Sequence, residues 1–118
     1  MADTGVDLLA VAVGSSHAMT SRDATLDTDL ISAIKQAVPV PLVLHGSSGV
    51  SDEGMRAAIT AGMTKINVST HLNVVYTAEV RKDLAQGPDL VDPRKYSRNG
   101  NAALQAEVER LLLWYAGK

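Results

Sequence analysis

The sequence predicts an α/β protein made of parallel (β/α) units. Three short apolar runs indicate buried strands, segments with helical periodicity follow them, and small polar residues stand where each run ends. This alternation is typical of a parallel sheet, because a crossover helix returns the chain to start the next strand in the same direction. With 118 residues, the chain has room for one hydrophobic core. We therefore expect residues 1–118 to form a single domain.

The three predicted strands are Asp7–Val13, Val40–Leu44 and Lys65–Val68. The first is too short for a helix and lacks the alternation of a half-exposed strand, which favours a strand buried on both faces. Each run leads into small polar residues, and in a parallel sheet such residues lie together at the carboxyl ends of the strands.

Four helices are predicted around these strands. The first carries apolar residues at positions 30, 31, 34 and 37 and stops before Pro39, and the second follows Ser51 with apolar residues at positions 55, 58 and 59. Thr70 is the expected N-cap of the third helix, which ends at Gly87. A loop with two prolines then leads to the last helix, at about residues 99–115.

Composition excludes several classes of protein. The formal net charge is −2, with 11 basic residues scattered among 13 acidic ones, so the basic stripe of a nucleic-acid-binding protein is absent. The chain has no cysteine, so a metal ion would be held by His, Asp or Glu. No apolar run approaches the ~20 residues that cross a bilayer, and residues 1–4 do not resemble the start of an export signal. We expect a cytoplasmic protein without nucleic-acid or membrane partners.

Two histidines and an asparagine are expected at the carboxyl end of the predicted sheet. His17 follows the first strand, His45 follows the second, and Asn67 belongs to the third. Two imidazoles from neighbouring strands suit a divalent ion such as zinc, although a catalytic zinc ion normally has three protein ligands. A single histidine in this position is more often a hydrogen-bonded loop residue, and two in equivalent positions favour the metal interpretation. His71 is expected to face solvent in the first turn of the third helix.

Two helix starts are rich in hydrogen-bond donors. Residues 46–49, with the sequence Gly-Ser-Ser-Gly, precede the second helix, and Ser69 and Thr70 stand at the start of the third. Helix starts of this kind bind phosphate, because glycine lets the backbone approach the anion and hydroxyl groups add donors. Each segment alone is more often a plain turn or an N-cap. Together, on neighbouring strands, they favour a phosphate-binding site.

Four motifs stand in order along nearly the whole chain: AVAVGSSH at 10–17, LVLHGSSGVSDE at 42–53, KINVST at 65–70 and DPRKY at 92–96. In this order and spacing they resemble the C-terminal part of class II fructose-bisphosphate aldolases and of the related tagatose-bisphosphate aldolases. The resemblance implies a TIM barrel in which the predicted strands are the sixth, seventh and eighth. Because a complete barrel takes about 250 residues, this chain would supply only the last three strands and their helices.

The resemblance implies a lyase of carbohydrate metabolism, active in glycolysis, that cleaves fructose 1,6-bisphosphate reversibly to dihydroxyacetone phosphate and glyceraldehyde 3-phosphate. It implies that His17 and His45 are zinc ligands and that Asn67 is a catalytic residue that orients the substrate. It also implies a monovalent cation near Gly46. By the same resemblance, the residues that bind the substrate phosphates are Gly46, Ser48, Ser69 and Thr70, with Arg94 at the distal phosphate, in relatives from a neighbouring subunit.

Departures from the family pattern affect the expected activity. Ala18 stands where the family usually has Gly, and His71 stands where an acidic residue is common. No segment matches the family's first zinc histidine or the aspartate that serves as general acid and base. We therefore expect the chain to lack aldol activity on its own.

Two other interpretations of the sequence stay open. The first is a non-catalytic phosphosugar-binding module that self-assembles into a homo-oligomer, because the outer strands of a three-stranded sheet expose unpaired edges. The second is a metal-free barrel enzyme with a phosphate site, which zinc content would distinguish from an aldolase.

Overall fold

The computed structural model describes residues 3–118, so Met1 and Ala2, which contributed to the judgement on export, lie outside the described residues. The elements in chain order are β1 (Leu9–Val11), α1 (Thr28–Ala37), β2 (Leu42–Leu44), α2 (Asp52–Ala61), β3 (Met63–Ile66), α3 (Thr70–Gln86) and α4 (Pro93–Tyr115). A short 3₁₀ turn, Ser47–Gly49, separates β2 from α2. Within the described range, no helix combines the length and the apolar character needed to span a bilayer.

The chain packs as two compact units. The first runs up to Val68 and contains the sheet with α1 and α2, and the second, Ser69–Lys118, contains α3 and α4. The prediction that residues 1–118 form one domain stays a prediction.

The sheet has three parallel strands in the order β1-β2-β3. Leu9 of β1 is opposite Leu42 of β2, and Val11 is opposite Leu44. All three residues of the central strand β2 are buried. Parallel strands joined by the crossover helices α1 and α2 confirm the predicted α/β class and its (β/α) units.

The outer strands differ from the prediction. β1 is three residues long rather than seven, and it is half-exposed rather than buried, with Ala10 exposed. Among the residues that the structure describes, β1 lies at the edge of the sheet with β2 as its one neighbouring strand, and edge strands are less covered than central ones. β3 begins at Met63, two residues before the predicted start, and ends at Ile66, so that Asn67 directly follows the strand.

α1 ends before Pro39 and α2 begins after Ser51, as the sequence predicts. The Asp27 side chain accepts a hydrogen bond from the backbone N–H of Leu30 at 2.8 Å, which caps α1. The Ser51 hydroxyl accepts from Gly54 at 3.1 Å and caps α2. The core of this unit joins both helices to the sheet, and its largest fully buried side chains are Ile31, Leu42, Leu44, Met55, Val13 and Val50.

The second unit corrects three predictions. Ser69, not Thr70, occupies the N-cap position of α3. α4 begins at Pro93, about six residues before the predicted start, because Asp92 accepts from the backbone N–H of Arg94 and caps the helix. Proline suits the first helical position, where its missing N–H costs nothing. The prediction that His71 faces solvent is also wrong, because its Nε2 lies 2.6 Å from a carboxylate oxygen of Glu107 on α4.

Candidate functional site

The side chains of His17 and His45 lie next to each other at the carboxyl end of the sheet. Their ring centroids are 5.3 Å apart, and the ring planes meet at 64°. His17 belongs to the loop between β1 and α1, and His45 directly follows β2. Both residues are exposed. They line a cleft of about 390 Å³ together with Ala10, Val11, Ala12 and Ser15.

A side-chain hydrogen bond and a close backbone approach hold together the two loops that carry His17 and His45. The Ser15 hydroxyl donates a hydrogen bond to the backbone carbonyl of His45 at 2.6 Å. Gly46 has φ +67, in the left-handed region, and a Cβ added there would overlap the backbone of Ser16. Glycine is therefore required at position 46 both for the turn and for the close approach of the two loops.

Asn67 joins the same cluster from the end of β3. Its side-chain Nδ2 lies 3.2 Å from Nε2 of His45. Its backbone N–H donates to the carbonyl of Leu44 at 3.1 Å, and its carbonyl accepts from the Ser47 hydroxyl at 2.5 Å. An amide that donates to Nε2 places the ring proton of His45 on Nδ1, and a rotated amide reverses this assignment. The structure thus brings together the three residues that are predicted to meet at the carboxyl end of the sheet, His17, His45 and Asn67.

The distance between the two ring centroids fits edge-to-face packing of the rings and also a shared metal ion. Two imidazoles bound to one tetrahedral zinc ion at about 2.0–2.1 Å place their ring centroids roughly 5 Å apart, close to the 5.3 Å observed. Among the residues that the structure describes, no group of three His, Cys, Asp or Glu side chains is placed to hold a metal ion. The described residues therefore offer two nitrogen ligands, and a catalytic zinc site needs a third.

The loop at residues 46–49, which is predicted to bind phosphate, is a tight turn that directly follows His45 and contacts Asn67. The side chain of Ser47 is buried, and its hydroxyl is occupied by the carbonyl of Asn67. The backbone N–H of Gly49 donates to the carbonyl of Gly46 at 3.2 Å and closes the turn. Of the predicted phosphate-binding residues, Gly46 and Ser48 belong to this turn.

The other predicted phosphate-binding residues belong to the second unit. The Ser69 hydroxyl makes no capping hydrogen bond to the first turn of α3, so no side chain at the N-cap position occupies the backbone N–H groups there. Thr70 is the first residue of that helix. Arg94 lies in the first turn of α4, and its Nε and Nη2 donate to the two carboxylate oxygens of Asp92 at 3.0 and 2.9 Å. This bond holds the pKa of Asp92 below its ordinary value.

Sequence reasoning did not identify three residues that shape the site. Ser15 and Ser47 fasten the loops through their hydroxyl groups, and Arg22 donates to the carbonyl of Val50 at 2.9 Å. The small polar residues that follow each predicted strand are the pattern that could have identified the two serines. No pattern in the sequence points to Arg22.

A parallel (β/α) sheet with imidazole and amide groups at the carboxyl ends of its strands has its polar groups where α/β proteins, (β/α) barrels among them, place their sites. The family model for class-II fructose-bisphosphate aldolase matches residues 1–117. The chain therefore belongs to the class II fructose-bisphosphate aldolase family, which confirms the predicted resemblance.

Solved structures of aldolases have the same fold. The YdjI aldolase from Escherichia coli K12 is 30% identical, with a TM-score of 0.78, and the match covers 95% of this chain and 40% of that one. A putative fructose-1,6-bisphosphate aldolase from Coccidioides immitis is 28% identical, with a TM-score of 0.80 and coverage of 98% and 40%. The fructose-bisphosphate aldolase from Campylobacter jejuni, at 18% identity, shares the fold with a TM-score of 0.71 and coverage of 91% and 39%.

The chain spans about 40% of the length of these solved relatives. Its three parallel strands and their helices thus correspond to part of a TIM barrel, as predicted. Membership of the family assigns the chain to a group of lyase-type enzymes.

Proposed function

We propose that this chain supplies the zinc-binding and triose-phosphate-binding part of a class II ketose-bisphosphate aldolase. The observation that carries the proposal is the meeting of His17, His45 and Asn67 at one end of the sheet. Membership of the aldolase family supports it, because the chemistry of that family takes place on phosphorylated sugars.

His17 and His45 would hold the metal ion, with Asn67 beside it. Zinc bound there supplies a Lewis acid that polarises a substrate carbonyl. Asn67 already contacts His45, so its amide can orient both the imidazole and the substrate oxygens near the reacting carbon. Both histidine rings are exposed to the cleft, which leaves room for a small substrate.

Backbone and hydroxyl donors would bind the phosphate groups of the substrate. Gly46 and Ser48 belong to the tight turn that precedes α2, and Ser69 leaves the start of α3 without a side-chain cap. The residues proposed to bind the substrate and its phosphates are Gly46, Ser48, Asn67, Ser69, Thr70 and, at the distal phosphate, Arg94. A monovalent cation near Gly46 is part of the proposal, as is a location in the cytoplasm.

The proposed substrate is fructose 1,6-bisphosphate, with tagatose 1,6-bisphosphate as the related alternative. The products would be dihydroxyacetone phosphate and glyceraldehyde 3-phosphate. The described residues offer two metal ligands rather than three, and no segment matches the family's general acid and base. We therefore propose that the chain has no aldol activity on its own.

Zinc titration of the 118-residue chain tests this proposal. We expect the wild-type chain to bind one zinc ion, and we expect His17→Ala and His45→Ala each to weaken binding strongly, because each removes one of two ligands. His71→Ala is the matched control, since His71 contacts Glu107 in the second unit. Equal binding by the wild-type chain and the His45→Ala variant would contradict the proposal.

A second candidate is a self-assembling phosphosugar-binding module, and the exposed edge strand β1 favours it. Leu8, just before β1, is 43% exposed, and Ala10 and Ala12 are exposed as well. Unpaired edges with apolar residues favour association between copies. Light scattering separates the two candidates: a discrete soluble homo-oligomer indicates a module, and a monomer that aggregates indicates a chain that needs further strands.

A further inference from the structure

His17 lies in a long loop without regular secondary structure. Residues 12–27 connect β1 to α1, and the one residue among them that forms a β-bridge is Ala24, which pairs with Val50. A side chain on a loop of this length keeps a fixed position only if the loop is fastened to rigid elements nearby. The position of His17 relative to His45 therefore depends on the contacts that fasten this loop.

Arg22 fastens the loop to the start of α2. Its Nε donates to the carbonyl of Val50 at 2.9 Å, and its Nη2 donates to Oδ1 of Asp52 at 2.6 Å. Nearby, Ala24 pairs with Val50, and its N–H donates to the carbonyl of Gly49 at 2.9 Å. A guanidinium group that donates to two acceptors fixes both the position and the direction of the chain that carries it.

These contacts connect the two histidines. Val50 follows His45 by five residues, through the tight turn, so an anchor on Val50 is an anchor on the segment that carries His45. On the other side of His17, Ser15 donates to the carbonyl of His45. His17 thus lies between two fastened points, one at Ser15 and one at Arg22.

We propose that Arg22 is a positioning residue that holds His17 beside His45 and thereby sets the affinity of this pair for zinc. The inference rests on the proposed function, because it assumes that the pair is a metal site. The side chain of Arg22 is 35% exposed, and ion pairs at such exposure contribute little to folding stability. We therefore expect the sheet to stay folded when the guanidinium group is removed, while the part of the loop between Ser15 and Ala24 loses its side-chain anchor.

Zinc affinity measured by calorimetry tests the role of Arg22. We expect Arg22→Ala to bind zinc about tenfold more weakly than the wild-type chain, as for other residues that support metal ligands from outside the site. Arg22→Lys should recover part of this loss, because an ammonium group keeps the charge without the planar fork. Ile31→Val is the control, since it removes a buried methyl group from α1 without touching the loop. An unchanged affinity in Arg22→Ala, or an equal loss in Ile31→Val, would overturn the proposal.

A measurement without metal separates this inference from the proposed function. Rings with centroids 5.3 Å apart give nuclear Overhauser contacts between their protons, and we expect Arg22→Ala to lose these contacts while Ile31→Val keeps them. Contacts of wild-type intensity in Arg22→Ala would overturn the role of Arg22. A wild-type chain that binds no zinc contradicts the proposed function, and the ring contacts then decide the role of Arg22 by themselves.

Discussion

Single residues with left-handed backbone conformation shape the loops that carry the two histidines. Ala18, directly after His17, has φ +60 and is the one non-glycine residue with positive φ in the described part of the chain. The left-handed region costs an L residue with a Cβ roughly 1–2 kcal/mol. The sequence comparison singled out this position because the family usually has Gly there, and the structure supplies the physical reason.

Ala18→Gly is expected to stabilise the first unit by up to about 1 kcal/mol. The substitution removes the cost of the left-handed conformation, and the greater flexibility of glycine in the unfolded chain offsets part of the gain. Urea unfolding followed by circular dichroism measures the change. Ala33→Gly in α1 is the control, because glycine within a helix destabilises by about 1 kcal/mol. A destabilised Ala18→Gly variant would show that the loop does not adopt this conformation.

Gly46→Ala is expected to destabilise the chain more than Gly5→Ala does. Both glycines have nearly the same positive φ, +67 and +62, but a Cβ at position 5 meets no atom within 4 Å, whereas one at position 46 overlaps the backbone of Ser16. The shared conformational cost is about 1–2 kcal/mol, and overpacking at position 46 adds roughly 1–3 kcal/mol. Urea unfolding of the two variants measures the difference. Equal losses would mean that the two histidine loops do not approach as closely as described.

Among the elements, the limits of the crossover helices α1 and α2 could be predicted better than the burial of the outer strands. Pro39 marks the end of α1 and Ser51 the start of α2, in the sequence as in the structure. The prediction that β1 is buried was wrong, because a run of apolar residues is buried only where other elements cover it, and β1 lies at the edge of the described sheet. The start of α4 at Pro93 was missed because proline was interpreted as a loop residue, although it also suits the first turn of a helix.

The contact between α3 and α4 makes the second unit sensitive to acid. Hydrogen bonds from Arg110 and His71 lower the pKa of Glu107 from its ordinary value of 4.5 to about 2. A carboxyl group whose pKa is lower in the folded state stabilises the fold above its unfolded pKa. This contribution is complete above about pH 4.5 and is lost as the pH falls towards about 2.

Glu107→Gln is therefore expected to lower the stability of the second unit at neutral pH and to have progressively less effect as the pH falls from about 4.5 towards about 2, where protonation weakens the wild-type contact as well. Fluorescence of Trp114, which lies on α4, reports the urea unfolding of this unit. Glu79→Gln is the control, because Glu79 forms an exposed ion pair with Lys82, and both residues lie on α3. A stability difference between the wild type and Glu107→Gln that does not change with pH would contradict this account.

At the scale of the whole molecule, the sequence motifs identified the family correctly, since their order and spacing are specific and cover nearly the whole chain. The sequence also placed His17, His45 and Asn67 at one end of the sheet, because residues that follow parallel strands share an edge. It could not supply the contacts of Arg22, which depend on how a loop without periodic pattern folds back onto α2.

The chain is expected to cleave fructose 1,6-bisphosphate at a rate near background. A proton-transfer group typically contributes 10²–10⁴-fold to the rate, and a zinc site with two protein ligands binds the metal more weakly than one with three. A coupled assay for triose phosphates measures the rate with and without added zinc. Cleavage that His45→Ala abolishes would show that the chain is active by itself.

Sharing of one metal ion by His17 and His45 can be tested directly. X-ray absorption spectroscopy of the zinc-loaded chain counts the imidazole ligands and measures their distances directly. We expect two imidazole nitrogens per zinc ion at about 2.0–2.1 Å in the wild type and one in His17→Ala. A wild-type spectrum with one imidazole or none, or a spectrum that is identical in His17→Ala, would contradict it.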